Sequence, residues 1–428
     1  MNYRFRRLRT GWLAVPACLM VSSLGAVLIA PSSAVAAGRW TSVAIAQPGG
    51  IAQANPNDAL FGNLACVDAS DCWTAATGIN EHGGDVPFIE HWNGSAFTLA
   101  ATPVAKSFLQ GVACPSASEC WAAGAAGTPP PPVSYGQVGR FVPLLDHYNG
   151  SKWSAVHPPN PGGMPDDELS DVSCAAANDC YAVGWTRSDD TERTLIEFWN
   201  GKRWQLASHA ALAGQTYSAM VGVACPSHCI AVGIEQASKA AVPHVVGEIQ
   251  AAHRVAVGHS HRHRTVYVWE SVQMPDSAAP DDYTQVYGLT GPALNDCIAT
   301  GAHYFWPDDG LDPGEAAAWH WNGRRWSLIL PNLSGPSSGG GVNQLSDVDC
   351  LSQDSCWAVG STFTDTVNAP AVTASWNGST FTQGSNDNPY DTDHLDAVGC
   401  AGGHCVSVGW GSNGEGGVHP FALKLTDS

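Results

Sequence analysis

The chain has 428 residues, 44% of them apolar, enough to fill a core, so disorder is excluded. Only 13% are charged, while Gly and Pro number 46 and 28 beside 17 Trp and 14 Cys, which argues against a helical protein and for an all-β one. A net charge of −19 speaks against nucleic acid as a partner, because that requires a concentrated basic surface.

The N-terminus reads as an address. Arg4, Arg6, Arg7 and Arg9 precede an apolar run from Trp12 to Ala30 and a small-x-small site at Ala34-Val35-Ala36. This is the pattern of a bacterial secretory signal over residues 1–36, removed on export. No later segment is long and apolar enough to span a bilayer, so a secreted, extracellular chain is expected, with its cysteines in an oxidising environment.

From residue 37 to 428 the chain repeats. Cysteines come in close pairs, Cys66/Cys72, Cys114/Cys120, Cys174/Cys180, Cys225/Cys229, Cys350/Cys356 and Cys400/Cys405, each expected to bridge a hairpin end. Around them recurs one text, as in "LSDVSCAAANDCYAVGW" (169–185) and "LSDVDCLSQDSCWAVGS" (345–361). Cys297 belongs to a further copy in which Gly291 replaces the first cysteine, so a free thiol is expected. Downstream, in five of the repeats, comes a second text: "IEHWNGSAF", "LDHYNGSKW", "IEFWNGKRW", "AWHWNGRRW" and "TASWNGSTF". The period of about 56 residues, with several short strands per unit, predicts a propeller or solenoid.

Each repeat predicts four strands. Strand A ends at the first cysteine, strand B begins at the second, strand C runs into "WNG", and strand D starts at the next Trp or Phe. Asn-Gly predicts a two-residue type I′ hairpin, and the strand-D Trp reads as filler between neighbouring blades. In the fourth repeat Trp269 fills that place, so the C–D connection swells into 251–264, carrying His259, His261 and His263. Alternation in extended backbone would aim the three histidines one way, a candidate metal site, against the plainer reading of a basic loop.

The two ends of the chain complete one another. The last repeat stops at "HPFALKLTDS", lacking strand D, and "GRWTSVAIAQP" after the signal supplies it, with Trp40 in the place of Trp153, Trp204 and Trp326. The expected fold is therefore all-β: a seven-bladed β-propeller of four-stranded antiparallel blades, closed by strand 40–46.

The blades resemble those of secreted bacterial propellers, in the broad class that includes sialidase-like and kelch/galactose-oxidase-like folds. The resemblance covers nearly all of 38–428 and rests on structural motifs. The sialidase Asp-box and the kelch double glycine are absent, so it implies no catalytic residue.

In such a ring the B–C and D–A loops share one face, and here they are long, varied and acidic. Variable loops on a rigid scaffold are where binding sites are built. Candidate ligand residues are Asp171 and Asp347, opening their A strands near the channel mouth, with Asp308, Asp309 and the aromatics Trp185, Tyr304, Trp306 and Trp410. Carboxylates mixed with aromatics suit sugars, with or without calcium, or a cationic ligand. No other cofactor is expected, and a monomer is. The leading expectation is a non-catalytic secreted binding or scaffold protein that contacts glycan, cell wall or protein. The alternative is a hydrolase or lyase acting on polysaccharide, with a carboxylate pair such as Asp308/Asp309 or Asp166/Asp167.

Overall fold

The computed structural model describes residues 38–49, 59–80, 85–102, 107–128, 140–161, 167–188, 191–207, 209–210, 217–236, 244–256, 263–276, 283–304, 314–333, 342–363, 370–413 and 416–427. Among these there is no helix. Seven four-stranded antiparallel meanders follow one another, and they are the blades of a propeller. Blade one is Ala59–Asp68, Asp71–Ile79, Asp85–Trp92 and Phe97–Ala100. Blades two to six repeat that order from Ser107, Asp167, Tyr217, Tyr283 and Val342. The predicted signal segment lies outside the described residues.

Blade seven is built from both ends of the chain. Thr392–Ala401, His404–Asn413 and Gly416–Asp427 supply its first three strands, and Arg39–Val43 pairs antiparallel with the third, Trp40 opposite Leu425. The exchange leaves no blade with an unfinished edge. Trp40 is fully buried and meets Trp357 of blade six edge-on, with ring centroids 5.6 Å apart. Trp153 meets Trp73, Trp204 meets Trp121, and Trp269 meets Tyr181 in the same way, each strand-D Trp packing on strand B of the preceding blade. These tryptophans are filler between blades. The pairing of Gln250 with Trp269 confirms Trp269 as the strand-D residue of blade four, at the base of a hairpin that extends to Ala256 and His263.

The core is divided by the ring. Seven apolar clusters are present among the described residues, one at each junction between neighbouring blades. Six disulfides join the expected pairs at the A–B hairpin ends: Cys66–Cys72, Cys114–Cys120, Cys174–Cys180, Cys225–Cys229, Cys350–Cys356 and Cys400–Cys405. The strand-B halves, Cys72, Cys120, Cys180, Cys229, Cys356 and Cys405, are all buried. These positions at the start of strand B turn toward a neighbouring blade, and each of the six residues belongs to the apolar cluster of its junction. They both cross-link the hairpin ends and pack in the core. Cys297, the equivalent residue of blade five, is free and buried in the same way; burial pushes its thiol up to about 12.

The "WNG" connections also differ from expectation. Trp92 pairs with Phe97, so the connection has four residues rather than two. The Asn93 carboxamide oxygen accepts the amides of Ser95 and Ala96 at 3.0 and 3.1 Å, and Gly94 takes φ +90°. A side-chain acceptor that satisfies two loop amides stabilises the longer turn. The same bonds recur at Asn149, Asn200, Asn322 and Asn377.

Candidate functional site

Every A strand carries the same irregularity. Its pairing with strand B shifts register between the residues five and three places before the first cysteine, for example between Leu169 and Asp171 and between Leu345 and Asp347. In blade one the shift is wider, between Phe61 and Leu64. A β-bulge leaves its extra residue unpaired and re-aims its side chain. The ring closure brings these extra positions together around the central axis: Gly62, Gln110, Ser170, Val221, Tyr287, Ser346 and Asp396 all line one cavity. Its volume is about 640 Å³. It opens on the side where the A strands begin, the face of the variable loops.

Asp171 and Asp347 line the deep end of this cavity. Asp171 Oδ1 accepts from Asn63 Nδ2 at 2.7 Å and from Val172 N at 2.8 Å, while Oδ2 accepts from Val223 N of blade four at 2.8 Å. Asp347 repeats the bridge, accepting from Val348 N at 2.8 Å and from Val398 N of blade seven at 2.9 Å. Both carboxyls therefore clip their blade to the next. The Asn63–Asp171 bond joins blade one to blade three across blade two, and only glycine fits beneath it. A Cβ on Gly111 would lie 2.6 Å from Asp171 Cα. This waist separates the mouth from a smaller cavity of about 260 Å³ on the disulfide side, lined by Cys66, Cys114, Cys174 and Asp349.

One arc of the mouth is polar. His394 Nε2 receives Gln344 Nε2 at 3.1 Å and Ser346 Oγ at 3.3 Å, and Asp396 Oδ1 lies 3.7 Å from the same nitrogen. Because the Gln344 side-chain nitrogen can only donate, His394 Nε2 is the acceptor of that bond. Burial holds His394 down at about 4, so the ring is neutral at ordinary pH. Asp396 Oδ2 accepts Phe61 N at 3.0 Å, yet burial outweighs that bond and pushes its carboxyl up to about 8. Burial likewise raises Asp171 to about 7, against its three donors, and Asp347 well above the usual carboxylate range. Val221, Phe108 and Ile79 form the apolar part of the wall, and no lysine or arginine is among the described residues that line it.

The other expected ligand residues are placed as follows. Tyr304 stands behind the wall, its hydroxyl 2.8 Å from that of Tyr287, which does line the cavity. Trp185 is half-buried outside the cavity, with the Arg187 guanidinium 5.0 Å from its ring centre. Trp410, expected among exposed aromatics, is corrected to a core residue. It is 2% exposed and packs on Phe61 and Phe88 between blades seven and one, because that junction's apolar cluster includes the end of strand B. Trp306, Asp308, Asp309, Asp166, His259 and His261 lie outside the described residues, and His263 begins a strand opposite Ala256. Asp167 is fully buried and accepts the Thr186 hydroxyl. No cluster able to hold a metal ion is present among the described residues.

Sequence reasoning misses the bulged positions as a set, although a signal for them exists. In blades two to seven the second place of "L-x-D-V-x-C" varies among Gln, Ser, Val, Tyr and Asp, while the first stays Leu, Met or Val and the fourth stays Val or Leu.

No protein-family model matches the chain, and no curated protein matches it. Solved structures do. The chain is similar to the polysaccharide lyase Uly1, with a TM-score of 0.52 at 10% identity over 91% of this chain and 97% of that one. It is also similar to a protein of unknown function from Dyadobacter fermentans, with a TM-score of 0.46 at 9% identity over 91% and 98%. An α-L-arabinofuranosidase from Fusarium graminearum matches with a TM-score of 0.41 at 12% identity over 89% and 96%. At these identities the likeness is one of fold, and polysaccharide-acting hydrolases and lyases are frequent among the neighbours.

Proposed function

We propose that the protein is a secreted, polysaccharide-directed propeller that takes a neutral sugar segment into the channel mouth. The observation that carries this reading is the cavity wall: amide, hydroxyl, phenol and carboxyl groups facing an apolar arc. Sugars offer hydroxyls to the first and C–H faces to the second. The signal-like N-terminus and the six disulfides support export.

If the site turns sugar over, hydrolysis is the reaction that its buried acid supports. Hydrolysis calls for an acid that is still protonated near neutral pH, and burial gives Asp396 that property. Binding without turnover is the second reading, favoured by the commitment of Asp171 and Asp347 to backbone bonds.

The test is a panel of neutral and uronic-acid polysaccharides, assayed for binding and for products, with calcium and with EDTA. Binding of neutral polymers with release of reducing ends supports hydrolysis, and binding without products supports the second reading. Preference for uronates, or no binding at all, overturns the proposal.

A further inference from the structure

The only aromatic ring among the bulged positions belongs to Tyr287, and the structure accounts for its orientation. Its hydroxyl donates to Gln285 Oε1 at 2.6 Å and shares a bond with the Tyr304 hydroxyl at 2.8 Å. Gln285 lies in the same strand, two residues before, and Tyr304 is directly across the A–B pair from Tyr283. The ring is thus tethered at its far end by two elements while its body borders the cavity, and it is half-buried rather than packed away. Blade six presents Gln344 and Ser346 beside it, and blade seven presents His394 and Asp396.

From this we infer that Tyr287 is the stacking platform for a sugar ring at the mouth, and that Tyr304 is its positioning residue. The inference rests on the saccharide reading above and deepens it. A flat apolar face beside a fixed array of donors and acceptors suits a pyranose or furanose, whose C–H face packs on the ring while its hydroxyls meet the amides. Fixing the phenol in advance lowers the ordering cost on binding. Sugar orientation would then be set by the tether, which explains why a tyrosine and not a phenylalanine fits this bulge.

The experiment uses the full mature chain and a set of soluble neutral hexasaccharides of glucose, xylose and mannose. Affinity is measured by calorimetry, and tyrosine absorbance is followed during the titration. Tyr287→Ala is expected to weaken binding at least about tenfold and to abolish the tyrosine difference band. Tyr304→Phe should weaken binding about threefold and keep the band, because the platform remains but loses one tether. Tyr287→Phe should weaken binding somewhat more, because it removes both tethers, and should lose the tyrosine band with the phenol; the double Phe variant should lose no more affinity than Tyr287→Phe alone, since Tyr304 acts only through the Tyr287 hydroxyl. If hexasaccharides bind the wild type and Tyr287→Ala binds equally, the platform is refuted while the saccharide reading stands. Additive Phe substitutions would refute the positioning role of Tyr304. Failure of every hexasaccharide to bind the wild-type chain would overturn both. Unchanged melting temperatures of the variants separate these results from unfolding.

Discussion

Blades one to four and blades five to seven share a fold but not a junction chemistry. Two residues before the last aromatic position of strand C, the first group carries Glu90, Asp146, Glu197 and Glu248, all buried. In the second group the equivalent positions, also buried, hold Trp319, Ala374 and Leu423. The parity of strand C turns this position toward the preceding blade. At this position, therefore, four junctions bury an acid and three an apolar side chain. Among the described residues, the carboxyl oxygens of Glu90, Asp146 and Glu197 have no hydrogen-bond partner, and burial pushes these groups up to about 8, 7 and 9. A buried acid without donors stays protonated, because neutralising it costs less than desolvating its charge. One architecture thus tolerates both kinds of residue here, and each acid at this position adds a pH dependence to stability.

The contrast can be broken or sharpened by experiment. The largest effect should come from the apolar half: deleting Arg39–Gln47 removes the strand that completes blade seven and exposes the surface covered by Trp40. Aggregation or a fall in melting temperature of tens of degrees is expected (~5 kcal/mol or more for the lost tryptophan and strand). A deletion variant that melts like the parent would refute ring closure. Next, exchanging junction types should cost in one direction only. Leu423→Glu should destabilise the protein by about 3–5 kcal/mol, whereas Glu197→Gln at pH 8 should be neutral or stabilising, as denaturant midpoints would report. Equal losses from the two would remove the distinction.

The pH profile follows from the sign of the shifts. Folded pKa values above the unfolded ones mean that the folded chain binds more protons between them, so stability falls as pH rises. Glu90, Glu197 and Glu248 contribute fully below about pH 4.5 and lose that contribution as pH climbs through about 8 to 9. Melting temperature should accordingly decline from pH 5 to pH 9, and the decline should be shallower in Glu90→Gln/Glu197→Gln. A flat profile would show that Glu90 and Glu197 have partners or water. The smallest effect concerns the junction of blades four and five. A Cβ on Gly291 would lie 2.6 Å from Cys297 Sγ, so Gly291→Cys should form a seventh disulfide and add roughly 2 kcal/mol. Thiol titration of the chain from residue 37 onward would then count none free in place of one, and an unchanged count would refute the alignment of this blade.

Much of this molecule is legible in its text. The cysteine pairs, the Gly291–Cys297 mismatch and the completion of the last repeat by Trp40 are properties of neighbouring residues or of a repeat compared with itself. The pairing of Cys72 with Cys66 is readable from spacing, but the burial of Cys72 and its five counterparts is not, since it depends on the blade alongside. The hairpin connections are half legible: Asn-Gly marks the turn, but its length depends on whether the Asn93 carboxamide or the backbone satisfies the loop amides. Trp410 is misread because its position at the loop end of strand B implies exposure, and only the packing of blade seven on blade one covers it. The buried acids are invisible for a related reason. In "IEHW" and "LDHY" a carboxyl between apolar neighbours looks like the solvent side of an alternating strand, but in a ring both faces of strand C are junctions.

The sequence by itself determined the class of fold, the blade number, the closing strand and the covalent bridges, because each follows from local turn chemistry and from period. Tertiary structure alone decided the channel mouth and the waist beneath it. Gln110, Tyr287, Ser346 and Asp396 lie on four blades far apart in the chain, and no local pattern relates them. They meet because every A strand bulges at the same place and the ring brings those bulges to one axis, where burial then sets which carboxyls keep their protons.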